Sequence, residues 1–144
     1  MKTLLKGEVK FVENHNNWVV DVLVKWNKKS ITTTIKSRKS DLRSDFISCA
    51  LTQAQFWTFL TRSDTFNFSG RKCEFSELIL ESAATQYLMD SNNGSIKLEG
   101  KYLIFNGGIR KKDKTSLSNI FKLIEMLMAE IDELNKINVT QQRL

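Results

Sequence analysis

Apolar and polar residues alternate in the first part of the chain, and this period of two predicts β-strands. In residues 5–13, LKGEVKFVE, every second position from Leu5 to Phe11 is apolar or Gly, which predicts a half-buried strand. The strongest alternation covers residues 18–26, WVVDVLVKW, where two Trp and three Val share one face. Residues 30–37 are rich in β-branched Ile and Thr. Together these segments predict a three-stranded antiparallel meander.

The middle of the chain has a weaker pattern. Residues 38–50 show no clear period and are predicted to form a loop. Thr52 suits the N-cap of a helix over about 53–62, where four large apolar residues cluster. Residues 73–89 fit a strand or a helix, and periodicity leaves both open.

Two further strands are predicted over residues 95–99 and 101–106, on either side of Gly100. The polar run 90–94, DSNNG, predicts a turn before them. The pair Gly107-Gly108 predicts the start of a basic loop.

Helical spacing of apolar residues is clearest over residues 117–136, and residues 138–144 are predicted to be a frayed tail. Segregated strands and helices without a repeated strand-helix-strand unit are typical of the α+β class. The prediction is one domain over residues 1–144, with an antiparallel sheet of five to seven strands and two helices. The C-terminal helix is predicted to be the longest.

Composition places the chain among ordinary globular proteins, with 41% hydrophobic and 26% charged residues. No apolar stretch approaches the ~20 residues of a membrane span, and the apolar run at the N-terminus is too short for a signal sequence. Cys49 and Cys73 are too few for a disulfide framework and are predicted to be reduced and mostly buried. These features predict a cytoplasmic protein that does not enter a membrane.

The sequence has few residues of the types that form catalytic or metal sites. His15 is the single histidine and lies in a polar turn, so a triad or a zinc site lacks its other members. No metal or other cofactor is predicted. Glu77 and Glu81 leave one enzymatic alternative, a carboxylate-based hydrolase, beside the plainer interpretation of a solvated acidic patch.

The net charge of +6 is uneven, since residues 1–50 carry ten Lys and Arg against five Asp and Glu. Two basic clusters are candidate surfaces for a protein partner or a nucleic acid, and a solvated charged face is the plainer alternative. The first cluster, near Trp26, comprises Lys25, Lys28, Lys29, Lys36, Arg38, Lys39 and Arg43. The second comprises Arg110, Lys111 and Lys112, which follow the Gly pair and with it suggest a weak anion cradle.

Four segments carry a resemblance to a known family: Asn17-Trp18-Val19-Val20, Cys49-Ala50-Leu51-Thr52 before Phe56, Phe59 and Leu60, the run FSELILE over 75–81, and the long last helix. In these the chain resembles the WapI-type immunity proteins, which neutralise contact-dependent toxins. The resemblance touches about half the chain and implies a protein that binds and blocks one specific protein. The chain departs from that pattern in having no proline and in being basic.

The sequence favours a non-enzymatic protein-binding module, such as an immunity protein, an antitoxin or a phage-type inhibitor. Its expected partner is a toxin or a host defence protein. The alternative is a basic module that binds single-stranded nucleic acid through residues 25–43. A homodimer through the helix 117–136 is also open, because Leu123 and Met126 widen its apolar stripe.

Overall fold

The fold was obtained as a computed structural model that describes residues 6–41, 45–53, 66–109 and 115–142. Seven strands form one antiparallel sheet in the order β1-β2-β3-β7-β6-β4-β5. The strands are β1 (Gly7–His15), β2 (Trp18–Trp26), β3 (Ile31–Lys39), β4 (Phe46–Gln53), β5 (Phe66–Gly70), β6 (Ser91–Gly100) and β7 (Tyr102–Ile109). The helices are α1 (Glu74–Glu81), a 3₁₀ helix (Ala83–Asp90) and α2 (Ser116–Gln142). The predicted α+β class, with the C-terminal helix longest, is confirmed.

The meander β1-β2-β3 is present as predicted, and β2 has the predicted bounds. Asn16 and Asn17 join β1 to β2 and have φ angles of 47° and 71°. Two consecutive positive φ angles define a type I′ turn, which Asn tolerates and which matches the twist of a hairpin. Trp18, Val20 and Val22 are buried on one side of β2.

The predicted loop over 38–50 is wrong, because β3 extends to Lys39 and β4 begins at Phe46. A β-bulge explains the missing period. Phe46 pairs with Gly100 and Cys49 with Leu98, so β4 has one residue more than β6 in this interval. Phe46 and Cys49 are therefore both buried although three positions separate them. Thr52 lies within β4 and is not an N-cap, while residues 54–62 of the predicted helix lie outside the described residues.

The predicted turn over 90–94 is also wrong, since β6 begins at Ser91. A second bulge places three steps from Asn92 to Ser95 opposite two steps on β7. Asn93, at φ 54°, takes up the extra residue. The two strands predicted around Gly100 are present but longer, and Gly100 has the positive φ that a tight hairpin needs.

The open question over residues 73–89 is settled as helical. Phe75, Leu78 and Ile79 of α1 face the core, in the i, i+3, i+4 spacing of a helix. At its start, Ser76 Oγ accepts a hydrogen bond from the Cys73 N–H at 2.7 Å. The 3₁₀ helix that follows buries Ala84 and Leu88 beneath α2.

Helix α2 covers one face of the sheet, which we call the helix face. Its apolar stripe of Ile120, Leu123, Ile124, Leu127, Met128 and Ile131 is fully buried against residues such as Ile35, Leu103 and Phe105. The helix continues to Gln142, past the predicted end at 136. Among the described residues, no helix combines the length and the apolar character that crossing a membrane requires.

Strand β1 differs from the expected half-buried strand. Val9 and Phe11 lie on the helix face, yet 46% and 37% of their surfaces are exposed. β1 is the last strand of the sheet, and the ring of Phe11 lies 6.5 Å from that of Phe121 of α2, between centroids. The edge position leaves β1 beyond the cover of the helix.

Candidate binding surface

The side of the sheet opposite the helix face is the open face. All three described helices pack on the helix face, through contacts such as Phe75 with Phe46 and Asp132 with Trp18. Within the described part of the chain, the open face is therefore uncovered. Alternation along β2, β3 and β7 places Val19, Asp21, Leu23, Lys25, Thr34, Lys36, Arg38, Tyr102 and Ile104 on it.

The middle of the open face has apolar side chains of β2 and β7 on either side of the polar side chains of β3. Val19 and Leu23 of β2 and Ile104 of β7 are half-buried, and Tyr102 is 37% exposed. Between these two strands, Arg38 of β3 pairs with both Val19 and Tyr102. Directly opposite side chains on one face lie within about 5.5 Å of each other, so Arg38 lies beside both Val19 and Tyr102 and separates them.

Charges of both signs lie within and around this area. Lys36 pairs with Asp21 on one side and with Ile104 on the other. Lys25 pairs with Glu8, and Glu99 pairs with Tyr102. Opposite charges on neighbouring strands lower the local potential, so the open face is amphipathic rather than uniformly basic.

The first basic cluster is divided by the fold. Lys25, Lys36 and Arg38 come together on the open face, and Lys28 and Lys29 lie at the exposed turn between β2 and β3. The remaining candidates, Arg43, Arg110, Lys111 and Lys112, lie outside the described residues.

The predicted place of Lys39 in an exposed basic cluster is wrong, because this residue lies on the helix face and is only 3% exposed. Its ammonium group forms ion pairs with Asp132 at 2.5 Å and with Asp41 at 2.8 Å, and it lies 5.3 Å from the centre of the Trp18 ring. Burial alone would lower the pKa of Lys39, but hydrogen bonds to the two carboxylates outweigh it and raise that pKa. The same contact with Lys39 lowers the pKa of Asp41. This lysine stabilises the fold and is not available to a partner.

The suggested anion cradle is not supported. Gly107 and Gly108 lie inside β7, where they pair with Thr33 and Thr32 of β3. Backbone groups of a central strand are used by the neighbouring strands, which removes the free N–H groups that a cradle needs.

The carboxylates of α1 are on the surface. Glu77 and Glu81 are exposed, and Glu81 borders a shallow groove with Glu130 and Glu133 of α2. Among the described residues, no group of three or more His, Cys, Asp or Glu has an arrangement that would hold a metal ion. His15 lies exposed at the end of β1, beside the turn, as its sequence context predicts.

A nucleic-acid surface would need aromatic rings among the basic residues. Trp26 was the aromatic candidate, but it lies on the helix face, where its ring packs over Gly7. Among the described residues of the open face, Tyr102 is the exposed aromatic residue, and acidic residues flank it and Lys36. The arrangement fits an apolar and charged protein surface better than a phosphate backbone.

Sequence reasoning missed the residues that make the centre of the open face. Tyr102 and Ile104 alternate with the buried Leu103 and Phe105, so the pattern of β7 alone would have placed them together. Their position beside Arg38 depends on the pairing of β3 with β7, which is distant in sequence. No signal in the residues themselves gives that pairing.

Comparison of the chain with protein-family models, with curated proteins and with solved structures yields no match in any of the three.

Proposed function

We propose that this protein is a non-enzymatic binding module that blocks a specific protein partner, and that the partner binds the open face. The observation that carries the proposal is the set of apolar side chains Val19, Leu23, Tyr102 and Ile104, which is uncovered in the described structure and lies on both sides of Lys36 and Arg38. Tyr and Arg are the residue types that contribute most to protein interfaces.

The charges indicate the chemistry of the partner. Lys36 and Lys97 pair with Ile104, and Arg38 pairs with Tyr102, so basic groups lie beside both apolar residues of β7. A partner with an apolar contact and an acidic rim would complement them. For an immunity or inhibitor role, the partner would be a toxin that this protein holds inactive in a stoichiometric complex, or a host defence protein. The free thiols of Cys49 and Cys73 fit a reducing compartment, and we place the complex in the cytoplasm.

The test compares four tagged forms of the protein in affinity purification with quantitative mass spectrometry. Tyr102→Ala and Arg38→Glu change the open face, and Met126→Ala is the matched control. Met126 has the same 37% exposure as Tyr102 but lies on α2. We expect one protein to be enriched by the wild type and the control and to be lost with both open-face variants.

Reconstitution with the purified partner then measures affinity, stoichiometry and inhibition. Tyr102→Ala should weaken binding by about 30-fold, which corresponds to about 2 kcal/mol for a central interface residue. A partner retained equally by both open-face variants would refute the surface. Binding of an oligonucleotide that weakens steeply with salt, without any protein partner, would refute the proposed class and favour the nucleic-acid alternative.

A further inference from the structure

Strand β1 is the last strand at one edge of the sheet that the described residues form. It is nine residues long, and no described strand pairs with its outer side. Three of the seven large apolar side chains that are exposed among the described residues belong to it, namely Val9, Phe11 and Val12. A long, apolar edge with free backbone groups is a template for another strand.

The type I′ turn determines which backbone groups of β1 face outward. In a hairpin with a two-residue loop, the closing pair exchanges both backbone hydrogen bonds, and every second pair does the same. The closing pair here is His15 with Trp18, so the groups of Phe11 and Val9 face β2. The neighbouring strand agrees with this alternation. Lys39 of β3 lies opposite Trp18, and its N–H donates away from β2, to Lys101 O at 3.0 Å, as expected if the backbone groups of Trp18 face β1.

The residues between these pairs therefore offer their N–H and C=O groups to the outer edge. They are Glu8, Lys10, Val12 and Asn14. Their side chains lie on the open face, while the side chains of Gly7, Val9 and Phe11 lie on the helix face.

We propose that two copies of this chain join through their β1 edges, antiparallel, about a two-fold axis that passes between the two Val9 residues. In this register Glu8 of each copy lies opposite Lys10 of the other, and both residues direct their backbone groups outward. The two Glu8–Lys10 pairs supply four backbone hydrogen bonds and two contacts between opposite charges. The sheets of the two copies become one.

The charges select this register over its neighbours. If both helix faces stay on the same side of the joined sheet, the two β1 strands can slide past each other only by an even number of residues. The step in one direction places Lys10 opposite Lys10, and the step in the other places Glu8 opposite Glu8. Both bring like charges together across the axis, which is unfavourable.

The helix face of the junction is complementary as well. Val9 meets Val9, and Phe11 of one copy lies opposite Gly7 of the other. The ring of Trp26 covers Gly7 so closely that a Cβ there would lie 2.5 Å from Trp26 Cζ2. Because Gly7 has no side chain, Phe11 of one copy contacts the Trp26 ring of the other copy. This contact covers the exposed surface of Phe11.

The dimer extends the proposed function without depending on it. The junction uses the edge of β1 and leaves Arg38 and Tyr102 exposed. It places two open faces side by side, so a partner with two copies of its contact would bind with increased avidity.

Sedimentation of the purified protein over concentrations from about 10 µM to about 1 mM tests the dimer. We expect a reversible monomer–dimer equilibrium in the wild type. Glu8→Lys alone and Lys10→Glu alone should each raise the dissociation constant by about tenfold or more, since two attractive pairs become repulsive. An equimolar mixture of these two variants, and the double variant, should dimerise like the wild type. Both positions are exposed. Glu8→Lys also places a like charge opposite Lys25 of the same copy, whereas Lys10→Glu faces Leu23 and tests the junction without that contact.

The register is tested by cross-linking in a Cys73→Ser background. Val9→Cys should form a disulfide between copies on mild oxidation, because the two introduced thiols meet at the axis. Val12→Cys, on the same strand and more exposed, is the matched control and should stay unlinked, since Val12 lies opposite Lys6. A protein that is monomeric at all concentrations would overturn the proposal. A dimer that ignores the charge variants, or that cross-links in the Val12→Cys variant, would overturn it equally.

Discussion

The ammonium group of Lys39 contacts Oδ1 of Asp132, and the same oxygen accepts a hydrogen bond from Trp18 Nε1 at 3.0 Å. Lys39 ends β3, Trp18 begins β2, and Asp132 lies on α2. One carboxylate thus joins two strands to the helix that covers them. Since Lys39 is buried while Asp132 retains some exposure, the cluster closes the border of the core.

Replacing Lys39 with Met should lower the free energy of unfolding by about 2 kcal/mol, because it removes one partner of a buried charge pair. The loss of a buried partner from a charge pair costs about 3–5 kcal/mol when the remaining charge stays buried, and the partial exposure of Asp132 reduces this cost. Urea denaturation measures the change. Lys36→Met is the matched control on the open face of the same strand, and it should leave stability nearly unchanged. Equal effects of the two substitutions would contradict the structural role of Lys39.

The contribution of Lys39 should depend on pH in a defined direction. The pKa of Lys39 is raised in the folded protein, so its stabilisation is complete below the ordinary lysine pKa of about 10.4 and is lost as the pH rises through the raised value. The pKa of Asp41 is lowered, so its smaller contribution is present at neutral pH and is lost only below about pH 3.9.

Denaturation of the wild type and Lys39→Met across this range tests the dependence. The difference in unfolding free energy should be constant between about pH 5 and about pH 10 and should shrink above that. A difference that disappears near neutral pH would show that the ion pairs do not stabilise the fold.

Thr33→Val should stabilise the protein by about 1 kcal/mol. The hydroxyl of Thr33 is buried on the helix face and has no hydrogen-bond partner among the residues that the structure describes. Val has nearly the same shape and favours strands, so the substitution removes an unsatisfied polar group at little steric cost. Thermal and urea denaturation measure the gain, and Thr32→Val, on the open face, is the control. A loss of stability would mean that the Thr33 hydroxyl has a partner in solution.

Gly107→Ala should destabilise the fold by about 1–3 kcal/mol. A Cβ at this position would lie 2.8 Å from Gly94 Cα, in the bulge of β6, and backbone cannot yield as a flexible side chain does. The readouts are urea denaturation and the amide resonances of Gly94 and Phe105, which should shift. Gly100→Ala meets no atom within 4 Å and changes only a position with positive φ, so the resonance of Gly94 should stay unchanged in that variant. A neutral Gly107→Ala would show that β6 and β7 are not in close contact there.

The sequence predicted the elements whose period is regular. β2 alternates without interruption from Trp18 to Trp26, and the apolar stripe of α2 follows helical spacing over its length. Two of the failures coincide with the two bulges. Each bulge inserts one residue, which changes the side of the sheet that the following residues face, so β4 reads as a loop and the first residues of β6 read as a turn.

The candidate surface was only partly predictable for a related reason. Exposure of Lys25, Lys36 and Arg38 follows from their own strands, and Lys39 differs from Lys36 only in the parity of its position on β3. Whether the odd or the even positions of β3 are buried can be decided only from its neighbour β2, where Trp18 and Val20 mark the buried side. The exposure of Val9 and Phe11 depends on β1 being the last strand, and strand order is set by contacts distant in sequence.

The order of the strands also has a consequence for synthesis of the chain. β3 and β7 are neighbours in the middle of the sheet, although β4, β5, α1 and β6 lie between them in the sequence. The meander β1-β2-β3 therefore leaves the ribosome with a second unpaired edge at β3 and with Trp18 and Val22 uncovered. Both are protected only when β7 and α2 have been made, because domains emerge from the N-terminus onward. Distant pairing of this kind slows folding, so the nascent meander is the stage at which this protein is most exposed to aggregation.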